Sequence, residues 1–401
     1  MIRRNLEISI RIYSSQYPVV AIVGPRQSGK TTLARYMFPG HKYLSMENLD
    51  IRHMAQDDPR GFLDDYGKNI ILDEIQRVPS LFSYLQERVD LDDSPAGYVL
   101  TGSQQFILME KITQSLAGRI ITFQLYPFSF NELYGAKPDK NIDSIFTIKP
   151  GYIKAGKEID IYTAIFTGMY PRIHDKKLDA RKWIENYILT YIERDIRSLV
   201  NVANLKLFED FLKICASMSG QLVNYTSISN SIGVSQPTVK KWLSLLETSG
   251  ILFLLPPHYK NFKKRIVKTP KLYFTDTGVL SFLLSIRSPD ELINHPLWGN
   301  IFETFIISEL YKRVHHTGEK PPFYFWRDKT GNEIDLIVDI GSKLLPIEIK
   351  ASKTYSPELK TNIFSWLTLK NNTAEEGFVI YRGEEIIGKR SAVSVIPWWD
   401  L

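Results

Sequence analysis

Apolar runs separated by stretches of helical spacing organise the first 135 residues. Residues 18–23 form one such run, and a helical pattern starts at Lys30. Shorter runs recur at 69–72, 97–100 and 120–125, and an amphipathic helix fits 80–89 between them. Short apolar strands alternating with helices predict an α/β unit, a parallel sheet covered on both faces. Residues 135–157 are rich in Lys, Pro and Gly and read as a loop or insertion, after which 183–199 is helical again.

From about 205 the grain changes. Helical spacing covers 207–218, a short helix fits 226–232 with Gly233 as its stop, and Ser235 caps a further helix over 237–248 that Gly250 ends. Apolar segments at 251–255 and 265–267 flank a polar turn at Lys260-Asn261-Phe262. That order predicts a winged helix-turn-helix. Beyond it, 302–311 reads as helix, and 334–338 and 345–349 read as strands. The expected division is 1–135, 136–204, 205–268 and 269–401.

Composition narrows the picture. A chain of 401 residues with 44% hydrophobic content is long enough for two to four cores. One cysteine, Cys215, excludes a disulfide framework and any multi-cysteine zinc site, and it fits a reducing cytoplasm. Glu7 and Arg11 interrupt the apolar run behind the basic start, so a secretory signal is not expected. No apolar stretch is long enough to span a bilayer, so no membrane partner is expected. The net charge of +6 makes nucleic acid the first partner to test.

The sharpest chemistry lies at Gly24-Pro25-Arg26-Gln27-Ser28-Gly29-Lys30-Thr31, which satisfies G-x-x-x-x-G-K-[ST] between an apolar run and a helix start. Glycines there let backbone N–H groups approach phosphates, Lys30 reaches the β- and γ-phosphates, and the Thr31 hydroxyl ligates Mg2+. Thr32 follows as a further phosphate-side residue. Ile70-Ile71-Leu72-Asp73-Glu74 is a hydrophobic strand ending in two acids. Asp73 would hold Mg2+ and Glu74 would polarise the attacking water. Ser103 and Gln104, at the end of another apolar run, are positioned to sense the γ-phosphate or simply to form a turn. ATP with Mg2+ is therefore the expected ligand.

These blocks, with Leu100-Thr101-Gly102-Ser103, Leu116-Ala117-Gly118-Arg119 and Tyr126-Pro127-Phe128-Ser129-Phe130-Asn131-Glu132-Leu133, resemble the AAA+ ATPases. In particular they resemble a bacterial and archaeal family with an uncharacterised C-terminal domain. The resemblance implies a P-loop parallel-sheet ATPase core, a helical lid over 136–204, and a homo-oligomer, a hexamer among the sizes it allows. It also implies that Arg119 enters a neighbour's nucleotide site, the alternative being that it pairs within its own subunit. Arg26 could also touch phosphate.

The basic excess concentrates in the winged-helix region. Lys240 and Lys241 fall on its second helix, and Lys260, Lys263, Lys264, Arg265, Lys268 and Lys271 on or beside its wing. Such a surface binds DNA through phosphates in a salt-dependent way, without reading sequence; a solvated face or a protein contact is the alternative.

In the last unit, Glu303 on a helix, Asp335 on a strand and Glu348-Ile349-Lys350 on the next resemble the PD-(D/E)xK nucleases, a restriction-endonuclease-like α/β fold. Asp335 and Glu348 would share a second divalent metal, Mg2+ or Mn2+, with Glu303 adding a ligand; strand alternation puts Lys350 on the face of Glu348, where it could activate water. Trp326, Arg327 and Lys329 could approach a nucleic-acid backbone. His315-His316 lacks ligand-spaced neighbours and reads as a surface pair. Two main functions compete: an ATPase coupled to DNA binding, with cleavage or branched-DNA processing, and a slow nucleotide-gated switch with a silent nuclease-like unit. A protein-remodelling ATPase is the third reading.

Overall fold

The computed structural model describes residues 2–103, 115–135, 137–146, 159–192, 205–258, 269–328, 331–341, 343–369, 372–388 and 391–400. Its first sheet has five parallel strands, β1 (Val19–Val23), β2 (Lys42–Ser45), β3 (Ile70–Asp73), β4 (Tyr98–Gly102) and β5 (Ile120–Gln124). Their spatial order is β2-β3-β4-β1-β5. Strand alternation splits β1 between two cores. Val20 and Ile22 pack with Leu6, Ile10 and Leu33 from the helices Leu6–Tyr13 and Lys30–Met37. Val19, Ala21 and Val23 pack on the other face with Leu81, Phe82 and Leu85 of the helix Leu81–Leu91. Every residue of β1, β3 and β4 is buried, as a sheet covered on both sides requires. Edge strand β2 buries only Leu44 and carries Lys42 and Ser45, so no apolar run announces it.

A second, antiparallel sheet contains β6 (Gln221–Leu222), β7 (Leu252–Leu255) and β8 (Lys271–Phe274), in the order β6-β8-β7. The helices Leu205–Ser217, Tyr225–Ile232 and Gln236–Thr248 precede β7. Gly233 ends the second of them at a φ of 74°, and Ser235 caps the third by accepting from the Thr238 amide at 3.3 Å. The expected strand at 265–267 lies outside the described residues; the strand that pairs with β7 is β8, four positions further on.

The third sheet is mixed. Strands β9 (Phe323–Arg327), β10 (Glu333–Asp339) and β11 (Leu344–Lys350) are antiparallel, and β12 (Gly377–Tyr381) and β13 (Val393–Pro397) add in parallel beyond β11. The helix Trp298–His316 covers one face and Thr361–Leu367 the other. One apolar cluster takes in residues from Phe128 to Trp398, across the boundaries expected at 204/205 and 268/269.

The helix Trp298–His316 has no solvated face along its last turns, so its polar residues there are buried and must be paired. Lys312 Nζ donates to the Phe128 carbonyl at 3.0 Å and contacts Glu309, whose Oε2 accepts from the Phe130 amide at 2.6 Å. Arg313 makes a two-pronged pair with Asp139 at 2.8 and 2.9 Å. His316 is fully buried, which corrects the expectation of a surface histidine pair. Its Nε2 accepts from the Tyr126 amide at 3.3 Å, and its Nδ1 lies 3.1 Å from Glu132 Oε2. Burial holds its pKa below the usual histidine value despite Glu132.

Glu132 collects the remaining donors. Its Oε1 accepts from the Asn5 amide at 2.8 Å and from Arg4 Nε at 3.2 Å, and its Oε2 from the Ser129 amide at 3.0 Å, closing a capping box. Burial alone would raise the Glu132 pKa, but Arg4 and His316 outweigh it and hold the carboxyl well below the usual carboxylate range. A depressed folded pKa gives stability that is present above the unfolded value and lost as pH falls. We expect Glu132→Gln to lower stability by about 3 kcal/mol near neutral pH, as when one partner of a buried pair is removed. The gap to the parent should narrow in urea titrations below about pH 4.5; a gap that stays constant into acid would contradict the charge assignment.

Candidate nucleotide site and C-terminal carboxylate centre

The loop after β1 takes backbone conformations that its glycines permit. Gly24 has a φ of 147°, and a Cβ there would stand 2.1 Å from the Leu125 carbonyl oxygen. Gly29, at a φ of 96°, caps the helix that opens at Lys30, so the loop ends on a helix N-terminus. Lys30 Nζ, buried in the loop, donates to the carbonyls of Gly24 and Pro25 at 2.9 and 2.7 Å. Burial pushes its pKa down to about 8, with Glu74 and Asp73 opposing the shift. Arg4 braces the loop from behind, donating from Nη1 to the Ser28 carbonyl at 2.8 Å and from Nη2 to the Tyr126 carbonyl at 2.7 Å.

The acids expected after β3 face this loop. Asp73 Oδ1 accepts from Thr31 Oγ1 at 3.0 Å and contacts Thr101 Oγ1, while Oδ2 accepts from Tyr43 at 2.7 Å. Glu74 is in the left-handed region at a φ of 53° and lines the same cleft as the loop. Its Oε2 accepts from Gln76 Nε2 at 2.5 Å and from Ser103 Oγ at 2.9 Å. Gln104 lies outside the described residues. A cleft of about 610 Å³ joins these groups, with Arg26, Gln27, Gly29, Lys30, Thr31 and Thr32 on one wall and Asp73 and Glu74 near them. Ile2, Phe128 and the helix Pro171–Lys176 close the opposite side, contributing Arg172, Asp175 and Lys176. A cluster of hydroxyl and carboxylate oxygens beside a buried ammonium suits a Mg2+-bound polyphosphate.

Several of these residues escaped sequence reading. Arg4 and Tyr43 reach the site only through tertiary folding. Arg172 carried a usable signal, because Pro171 after Gly168 marks a helix start. Arg119 stands at the start of β5, whose pairing of Ile120 with Val19 puts it at the opposite end of the sheet from the loop. There it pairs with Asp90, Nη2 to Oδ2 at 3.1 Å. Within one chain it takes no part in the nucleotide cleft.

Lys240 and Lys241 are exposed on the helix Gln236–Thr248, with Lys240 Nζ 5.4 Å from the centre of the Tyr225 ring. Lys260, Lys263, Lys264, Arg265 and Lys268 lie outside the described residues. Lys271 was expected among them on a basic surface; it is buried instead, at 3% exposure, within the C-terminal acids.

Those acids do converge. Glu303 Oε1 accepts from Lys271 Nζ at 3.1 Å and from the Tyr273 hydroxyl at 2.5 Å, and Lys271 also contacts Glu333. Asp335 Oδ2 accepts from the Ile349 amide at 2.8 Å. Glu348 Oε2 accepts from Lys350 Nζ at 2.5 Å, and its Oε1 from Asn362 at 3.3 Å, so Lys350 shares the face of Glu348 as strand alternation requires. Burial, then Asp335, pushes Glu303 up to about 7 and Glu348 up to about 8. Burial works against the Lys271 ammonium, but Glu303, Asp335 and Glu333 outweigh it and hold its pKa above the usual lysine value. The expected divalent-metal set of Glu303, Asp335 and Glu348 is not shown. Among the described residues no three Asp, Glu, His or Cys side chains are arranged to hold a metal ion. Trp326 and Arg327 lie on β9, and Arg327 Nη1 stands 3.5 Å from Glu333; Lys329 is outside the described residues.

Comparison with known proteins agrees with the first sheet. Residues 16–134 match the family model of the AAA domain. The matched stretch carries the five-stranded parallel sheet and the glycine loop after β1, and the match supports an AAA-like P-loop ATPase domain there. Residues 158–290 and 298–401 match two domains of unknown function, DUF8612 and DUF4143. An uncharacterized protein of Mycobacterium tuberculosis is 27% identical over 398 residues, 98% of this chain and 83% of its own length. One from Methanocaldococcus jannaschii is 22% identical over 96% of this chain and 85% of its own. Among solved structures, a Walker-type ATPase of Pyrococcus abyssi aligns over 71% of this chain and 96% of its own, at 14% identity and a TM-score of 0.40. Among the described residues, no helix is long and apolar enough to cross a membrane.

One contact joins the nucleotide loop to the second sheet's helices. Gly250, just past the helix that carries Lys240 and Lys241, has a φ of 71°, and a Cβ there would meet Pro25 Cδ at 2.9 Å and Tyr126 Cε1 at 3.3 Å. We expect Gly250→Ala to lower stability by about 1–2 kcal/mol from the left-handed backbone alone, with close packing against Pro25 adding to it. Equilibrium urea unfolding measures this; unchanged stability would contradict the contact.

Proposed function

We propose that this protein hydrolyses ATP with Mg2+ and couples the nucleotide state to DNA held by its winged-helix region. The observation that carries the reading is the convergence of Lys30, Thr31, Asp73 and Glu74 on one cleft beside a glycine-shaped loop. Backbone N–H groups of the 24–31 loop other than Pro25, with the helix N-terminus at Lys30, bind the phosphates, and the Lys30 ammonium leaves its loop carbonyls for the β- and γ-phosphates. Thr31 and Asp73 are the oxygen donors that would hold Mg2+, which supplies charge neutralisation at the transferred phosphoryl. Glu74, oriented by Ser103 and Gln76, polarises the attacking water. Arg119, far from its own cleft, serves a neighbouring copy, so the active species is a homo-oligomer.

DNA binding rests on the helix–helix–strand order of 205–274, on exposed Lys240 and Lys241, and on the lysine-rich 260–268 between β7 and β8. The Gly250–Pro25 contact is the route by which loop and DNA-binding helix would sense each other. For the C-terminal unit, the silent reading is favoured over cleavage, because Lys271 and Tyr273 hold Glu303, Lys350 holds Glu348 and the Ile349 amide holds Asp335.

Steady-state ATPase assays with and without DNA test the proposal. We expect Lys30→Ala to lower turnover by about 10² to 10³-fold. Arg119→Ala should cost about 10³-fold, and mixing it with Lys30→Ala should restore part of the rate if the sites form between copies. Lys240→Ala with Lys241→Ala should reduce the salt slope of DNA binding by about 2. Turnover indifferent to every DNA tested, with no mobility shift at low salt, would overturn the DNA arm while leaving the ATPase arm to the Lys30 result.

A further inference from the structure

We infer that Lys271 is a structural cation of the C-terminal carboxylate centre and that the centre is metal-free. Its ammonium holds Glu303, which the nuclease-like reading makes a metal ligand, together with Glu333, in an ionic tie between the second and third sheets. The inference is independent of the ATPase reading.

The geometry is specific. Lys271 belongs to β8, the central strand of the second sheet, whereas Glu303 is on the helix Trp298–His316 and Glu333 is on β10 of the third. Its Nζ lies 3.1 Å from Glu303 Oε1, contacts Glu333, and sits 5.8 Å from the centre of the Phe325 ring. Tyr273, two residues along the same strand and on the same face, donates its hydroxyl to the same Glu303 oxygen. One strand of the second sheet thus sends two donors to Glu303 on the helix, and one of them also to Glu333 of the third sheet.

The rest of the centre is closed in the same way. Asp335 is held by the Ile349 amide, and Glu348 by Lys350 and Asn362. Every acid of the centre therefore has a donor from protein. A hard divalent ion needs several oxygen ligands converging on one point. Here Glu303, the ligand that the helix would supply, is taken by the Lys271 ammonium and the Tyr273 phenol. A buried charge left without its partner is strongly destabilising, whereas removing both partners of a pair costs much less. The lysine is therefore held by the acids as firmly as the acids by the lysine.

The test uses the full chain without nucleotide, titrated with Mn2+ and followed by the electron paramagnetic resonance of the free ion. The expected result is no site tighter than about 1 mM beyond what the Glu348→Gln variant shows. Thermal melting supplies the second arm. Lys271→Met should melt several degrees below the parent, and Lys271→Met with Glu303→Gln should recover part of that loss, because the second change removes the orphaned charge. Aggregation of Lys271→Met counts as the destabilised outcome, and the manganese arm then stands by itself. A stoichiometric Mn2+ site lost in Glu348→Gln, or a Lys271→Met variant that melts with the parent, would overturn the inference.

Discussion

A single buried carboxylate, that of Glu132, holds together parts of the chain that are far apart in sequence. A charge so deep is tolerable only when its oxygens are saturated by donors. Here the donors come from the first residues, from its own capping box, and from the last turn of the helix Trp298–His316. The first sheet therefore does not end in a free linker. Its closing segment, 126–133, is fastened to the third sheet's covering helix by Glu132–His316, Lys312–Phe128 and Glu309–Phe130.

The nucleotide loop inherits its position from this clamp. Arg4, held by Glu132, spends its other nitrogens on the Ser28 and Tyr126 carbonyls, so the back of the loop is fixed by the same guanidinium. Pro25 is pressed by Gly250 from the other direction. The proposed coupling between the loop and the helix carrying Lys240 and Lys241 would run through these contacts.

Legibility followed the range of the interaction. The loop at 24–31 and the acids at 73 and 74 are local patterns with local chemistry, and the structure places them together. Strands β3, β4 and β5 were visible as apolar runs, whereas β2 was not, because an edge strand needs only one buried side chain. The histidine pair misled for the opposite reason: His316 looks solvated in sequence, and its partners Glu132 and Tyr126 lie about 190 positions away. Lys271 misled most. It closes a run of basic residues from 260 onward, so composition assigns it to the same exposed surface. Strand β8 instead buries it, and the acids that neutralise its charge belong to a later unit that no local window includes. Glu303, Asp335 and Glu348 were found through the nuclease resemblance; that Lys271 would pair with Glu303 and Glu333 was not.

The central claim is that the loop at 24–31 binds a Mg2+-bound nucleoside triphosphate, and calorimetric titration of ATP into the purified chain tests it most directly. With Mg2+ present the account predicts saturable binding of one ATP per chain, lost in Lys30→Ala and weakened when Mg2+ is chelated. Heats of the parent that match those of the Lys30→Ala variant would contradict it.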